Sequence, residues 1–176
     1  MLRCRAIGRL GGMLGLAVAL LSFPSCASLG WLRQIVQVPR FEQAPDRSAE
    51  ILLAGPAAGS PAGGAAVRIW TKITNPNPFG FTLSTVRATL LLNGARAATG
   101  DFPLGLPLRA GESSTVPLEL LVSFADFPGL SQVARAVLRG ESVPYQLDGT
   151  VGVDAGTLGQ PVFGPMTFLT GQLRPR

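Results

Sequence analysis

Few side chains in this 176-residue sequence are of types that perform chemistry, and their placement limits what that chemistry can be. There is no histidine, so the commonest general base is absent. Lys72 is the single lysine. It falls in a stretch that alternates with Arg68 and Trp70, where an exposed strand face is a simpler account than a Ser–Lys dyad. The ten acidic residues are scattered. Asp148 and Asp154 come nearest to sharing a strand face, but six residues of strand span about 20 Å, too far for paired acid–base work. The glycines between Gly149 and Gly159 precede no helix, so they imply no phosphate cradle. Both cysteines, Cys4 and Cys26, lie before the globular part. That leaves no Cys/His metal site and no disulfide within the domain, and no cofactor is expected. An enzyme is the least supported class.

The cysteine best placed to react is Cys26. Met1 to Arg9 carries three arginines and no acid, and Leu10 to Phe23 is apolar or small. This is the pattern of a secretory signal, with the arginines held on the cytoplasmic side. The run Ser22-Phe23-Pro24-Ser25-Cys26 resembles the lipobox of bacterial lipoproteins. There a small residue precedes a cysteine whose thiol receives a diacylglyceryl group and which becomes the new N-terminus. Ser25 and Cys26 match. Phe23 and Pro24 depart from the usual Leu and small residue. Two alternatives stay open: ordinary signal peptidase cleavage after Ala27, and retention of the uncharged Leu10–Leu32 run as an anchor. All three put the domain outside the cytoplasm, in the cell envelope, facing the periplasm or exterior. Lipidation at Cys26 would make the membrane a partner, since each buried methylene contributes about 0.8 kcal/mol. Ala27, in place of an Asp, favours the outer membrane where the bacterium has one.

The net charge of +5 points weakly to nucleic acid. Without Arg3, Arg5 and Arg9 it falls to +2, from 12 basic against 10 acidic residues. No Lys/Arg cluster remains to follow a phosphate backbone, so no nucleic-acid partner is expected. Charged residues are 14% and hydrophobic residues 47%, a composition that folds, and the 22 glycines and 15 prolines suit turns between many short strands.

The division expected is 1–26 as signal peptide, 27–40 as tether and 41–173 as one domain. Leu29, Leu32 and Val36 recur at roughly helical spacing in the tether, and Trp31 could sit at lipid headgroups or pack on the domain. Phe41 to Ala54 reads as a first extended stretch interrupted at Pro45-Asp46. Gly55 to Gly64 reads as a flexible loop with nothing to bury. Val67, Ile69, Thr71 and Ile73 alternate inward; so do Val86, Ala88, Leu90 and Leu92; so do Val116, Leu118, Leu120, Val122 and Phe124. Asn93-Gly94 is the strongest hairpin signal, with Ala95 to Phe102 as the return strand. Asp126 reads as the cap of a helix placing Phe127, Leu130, Val133, Val137 and Leu138 on one stripe, closed by Gly140. Pro144 to Asp154 and Val162 to Thr170 complete about seven strands and one short helix. This is an all-β antiparallel sandwich.

Asn75-Pro76-Asn77-Pro78-Phe79 lies after one strand and before a Leu-rich strand ending at Leu92-Asn93-Gly94. Later come the Gly111-Glu112 turn, the short helix, and Val143-Pro144-Tyr145-Gln146-Leu147-Asp148-Gly149-Thr150. In this order the residues resemble the late embryogenesis abundant type 2 family, also called the water stress and hypersensitive response domain, over about Phe41 to Leu173. The resemblance implies an immunoglobulin- or fibronectin type III-like sandwich, a link to desiccation and stress protection, and no catalytic residues; its bacterial members are often small lipoproteins. For Asn75, Pro76, Asn77, Pro78 and Phe79 a structural part is expected. The asparagines would bond local backbone and hold a bend, and Phe79 would plug the end of the sandwich. The function expected is a non-catalytic, membrane-anchored envelope lipoprotein that binds or shields, with a lipid or an envelope protein as partner. The alternative is a periplasmic carrier of a hydrophobic ligand such as an acyl chain.

Overall fold

The computed structural model describes residues 36–56, 61–127 and 129–175. Cys26, the export segment and most of the tether lie outside the described residues, as do Leu29, Trp31 and Leu32.

The period-two stretches form strands, and they pair as two groups of four. One group is β1 (Arg40–Gln43), β2 (Glu50–Ala54), β3 (Gly64–Thr74) and β6 (Ser113–Ser123). Strand β3 is its centre, with β6 along one side and β1 and β2 end to end along the other. The second group is β4 (Phe81–Leu92), β5 (Ala95–Leu108), β7 (Val143–Asp154) and β8 (Val162–Pro175), in the order β5-β4-β7-β8. A short parallel contact between β2 and β8 joins the groups into one continuous eight-stranded sheet, where an all-antiparallel sandwich was expected. Helix α1 (Leu130–Leu138) connects β6 to β7.

The two groups face each other across one core. Val67, Ile69, Ile73, Leu118 and Leu120 come from the first group; Leu83, Val86, Leu90, Leu147 and Val151 come from the second. Each is 2% exposed or less. Full burial of such a side chain contributes roughly 1.5–3 kcal/mol, which is why alternation fixes the register so firmly: a one-residue slip would put every aliphatic in water.

Four expectations need correction. The Phe41–Ala54 stretch is two strands, which raises the count to eight. Turn residues Pro45 to Arg47 separate them, and Arg47 lies 4.0 Å from the centre of the Trp70 ring between the two pairing sites on β3. Asp126 does not cap α1. The helix starts three residues later, with Gly129 as its N-cap and no side-chain cap bond. A proline at 128 disfavours helical backbone at Phe127. Leu138 is 78% exposed, because it stands about 105° round the helix from the middle of the stripe of Leu130, Val133 and Val137. Finally, Gly63 and Gly64 belong to the interior, not to an empty loop. Gly64 opens β3 where the Val122 carbonyl would meet a Cβ. The expected Gly140 stop holds: with φ +75° it lets Gly140 and Glu141 donate back to Val137 and Ala136. Asn93 and Gly94 likewise both take positive φ in the β4–β5 turn.

Tyr145, the single tyrosine, is buried in β7, and its hydroxyl donates to Gln43 Oε1 of β1 at 3.3 Å. Burial pushes its phenol above the ordinary value. The native protein then holds this proton more tightly than the unfolded chain does. The stability concerned is complete below the ordinary phenol value and is lost as pH rises through the native one. The melting temperature is expected to fall above about pH 10, and Tyr145→Phe to flatten that fall. The same alkaline loss in both proteins would contradict the assignment.

Candidate functional site

The Asn-Pro segment lies at the end of the sandwich where β3 stops, β4 starts, β5 stops and β6 starts. Prolines at 76 and 78 remove two donors and favour extended backbone before them, so the chain turns here without ladder bonds of its own. Asparagine side chains supply the missing bonds. Asn75 is fully buried, and its Nδ2 faces three carbonyls: Phe79 at 2.8 Å, Arg109 at 2.9 Å and Leu108 at 3.2 Å. Its Oδ1 accepts from the Asn77 backbone N–H at 2.9 Å and from Asn77 Nδ2 at 3.0 Å. Its own N–H donates to the Glu112 carbonyl at 2.9 Å. An asparagine amide offers two donors and two acceptor sites, and here both donors and both sites are engaged inside the protein.

Asn77, 2% exposed, extends this clasp to the tether. The Gln37 backbone N–H donates to Asn77 Oδ1 at 2.7 Å, and Asn77 Nδ2 donates to the Gln37 carbonyl at 3.0 Å. Val36 next to it is buried in the core. The tether therefore joins the domain at the clasp end, opposite α1. Phe79 packs half-buried against the core. Glu112 braces the facing turn, its Oε2 accepting from the Arg109 N–H at 2.7 Å. Of the clasp's partners, Glu112 falls in the Gly111-Glu112 turn, whereas Gln37, Leu108 and Arg109 carry no local sequence signal; all four lie 33 to 40 residues from the asparagines they meet.

The remaining reactive types stay apart. Lys72 sits half-exposed in the outer row Glu42–Lys72–Thr115, and no hydroxyl bonds to it among the described residues. Asp148 accepts from Gln146 and Thr167, whereas Asp154 holds the Gly156 N–H and Gln160. Among the described residues no three acids converge on a point that could hold a metal, and no helix is long and apolar enough to cross a membrane. Four of the inward leucines border no void large enough for water. Leu83, Leu90, Leu92 and Leu147 are each 0% exposed, whereas a side chain bordering a void large enough for water would present surface to it.

Two outer features were missed. On the β2–β3–β6 face, Leu52, Ala66 and Leu121 form a cross-strand row. Leu52 and Leu121 are 52% and 81% exposed, and the next row holds Glu50, Arg68 and Glu119, with Arg68 bonded to Glu119 at 2.6 Å. On the β4–β7–β8 face, a groove of about 320 Å³ is lined by Ser84, Thr85, Arg87, Thr150, Gly152 and Val162, among others. Its signal is the adjacent polar pair Ser84-Thr85 in an otherwise alternating strand. It marks a bulge, at which both pairings of β4 shift register.

The family model described as late embryogenesis abundant protein, LEA_2, matches residues 71–165, more than half of the chain. No curated protein matches the sequence closely enough to count as a relative. A crystal structure of a protein from Archaeoglobus fulgidus is similar at 12% identity and a TM-score of 0.40, covering 80% of this chain and 98% of its own. The solution structure of a protein from Arabidopsis thaliana is similar at 16% identity and a TM-score of 0.49, covering 76% of this chain and 83% of its own.

Proposed function

This chain belongs to the late embryogenesis abundant type 2 family, and from that premise we propose a non-catalytic stress-response domain held at the cell envelope by acylated Cys26. The observation that carries this reading is the clasp. The motif that marks the chain spends its two asparagine side-chain amides, and the Asn75 N–H, on protein groups at Gln37, Asn77, Phe79, Leu108–Arg109 and Glu112. What remains for function is the exterior: two sheet faces, one bearing exposed leucines beside paired charges, the other mostly polar.

Anchoring is supported by the basic start, the apolar run and Ser25-Cys26. It is also consistent with where the tether meets the domain. Nine residues separate Cys26 from Val36, so a lipidated cysteine would hold the clasp end towards the bilayer and α1 away from it. The domain then acts by contact with membrane or envelope components exposed during water loss. Cys26→Ala is expected to move the protein from the membrane fraction to the soluble envelope fraction or leave it unprocessed, and to abolish labelling by a radioactive fatty acid. Unchanged membrane retention and processing in that variant would overturn the anchoring. An unchanged survival of drying in a deletion strain would overturn the stress role.

A further inference from the structure

The groove on the β4–β7–β8 face is built in a way that the packing of the domain does not require. Two ladder irregularities bracket it. The β4 bulge turns Ser84 and Thr85 outward together, and on the other side the β7–β8 register breaks between Gly149 and Val151. The floor between them is Gly152, which has no side chain to fill it. The Ser84 hydroxyl donates to the Gly152 carbonyl at 3.2 Å. The Thr85 and Thr150 hydroxyls, both half-buried at the wall, have no hydrogen-bond partner among the described residues. Arg87 and Gln160 complete the polar wall; the half-exposed Val162 supplies apolar surface, and Val153 beneath it is buried in the core.

Charge decides what such a groove takes. Arg87 Nε is bonded to Asp101 Oδ1 at 2.6 Å, so the one cation at the wall arrives with its counter-charge. An anion would compete with a fixed carboxylate. Hydroxyls, an amide, a neutralised guanidinium and small apolar patches instead suit a neutral ligand that is polar at its edges and apolar on its faces. A volume near 320 Å³ is at the small end of ligand cavities. We propose that this groove is a low-affinity subsite for a neutral pyranose sugar, with Thr85, Thr150, Arg87 and Gln160 meeting its hydroxyls and Val162 its carbon face. The inference is independent of how the domain is anchored.

Gly152 supplies the test. Its φ is not positive, and a Cβ there would meet nothing closer than Ser84 Oγ and the Thr85 carbonyl at 3.8 Å, ordinary contact. Gly152→Val should therefore fold and fill the floor. The experiment is an NMR titration of the full chain with maltose, with glycerol and inorganic phosphate as comparison probes. The expected result is saturable movement of the Ser84, Thr85, Thr150 and Gly152 amides with maltose. Gly152→Val is expected to weaken it about tenfold or more, and Thr150→Val several-fold, with the Asn75 and Asn77 amides unmoved. If Gly152→Val is unfolded, Gln160→Ala, whose side chain is exposed, takes its place. No saturable shift, tighter saturation by phosphate, or equal response to glycerol overturns the proposal. A second arm with soluble peptide-free glycan strands identifies the source: tighter binding than maltose assigns a wall polymer, weaker binding a free sugar.

Discussion

Asn75→Ala is expected to lower the unfolding free energy by about 3–5 kcal/mol, more than any other single polar change in this protein. The substitution removes two donors from three carbonyls, the buried one of Leu108 and the part-buried ones of Phe79 and Arg109, and the buried acceptor that serves two N–H groups of Asn77. Each buried group left unsatisfied costs roughly 1–3 kcal/mol, and the losses are not additive because the segment can relax. Burial is what makes the effect large: on the surface, water would replace each bond. Asn75→Asp separates hydrogen bonding from volume. It keeps the shape but turns an oxygen towards those carbonyls, and is expected to be at least as damaging. Asn77→Ala should cost less, since it loses chiefly the reciprocal pair with Gln37. Urea unfolding with an unchanged slope measures these differences. A loss below about 1 kcal/mol for Asn75→Ala would mean that the clasp is not what holds this end together.

The second large effect is steric and falls on a glycine with ordinary backbone. Gly149 sits in the middle of β7, opposite Ala88 on β4. A Cβ built there would run into the Arg87 carbonyl and lie 2.9 Å from the Phe168 ring, and Phe168 itself packs against Phe41, ring centres 4.6 Å apart and planes tilted by 37°. Backbone cannot step aside as a flexible side chain can. Gly149→Ala is therefore expected to cost about 3 kcal/mol. Gly152→Ala, three residues along the same strand, has open contact distances and should stay within about 1 kcal/mol of the parent protein. The two melting curves make one comparison in which strand propensity is held nearly constant. Similar curves would show that β4 and β7 can part at Gly149 and that the close approach is not fixed.

Much of this was legible from the chain. The strands β3, β4, β6 and β7 follow from period-two burial, and the β4–β5 turn from Asn93-Gly94. The Asn-Pro segment stood out by composition and order. What was not legible came from distance. Strand β5 runs past the expected Phe102 to Leu108 because Pro103 and Pro107 lie on a strand paired on one side only, where a missing donor costs no ladder bond. Strand β8 continues past Thr170 because β7 pairs with it as far as Leu173 and β2 then offers Arg174 and Pro175 a parallel edge at Glu50 and Ile51. The break between β1 and β2 was visible as Pro45-Asp46, but its consequence was not. Both halves return to the same strand, β3, and that is a fact about pairing partners. The clasp was half legible for the same reason. Its asparagines are two residues apart, while the backbone they hold comes from four other places. The groove was least legible, since nothing in Ser84, Thr85 or Gly152 alone distinguishes a recess from a surface.

The proposed contact-acting role and the proposed anchoring at Cys26 meet in one arrangement, a sandwich that would be presented with its clasp end towards a bilayer. Its most direct test is the intact mass of the protein isolated from its native membrane. The account predicts a chain that begins at Cys26 and carries the added mass of a diacylglyceryl group, with or without a further acyl chain. An unmodified chain beginning at Ser28, or one that still carries residues 1–25, would contradict it.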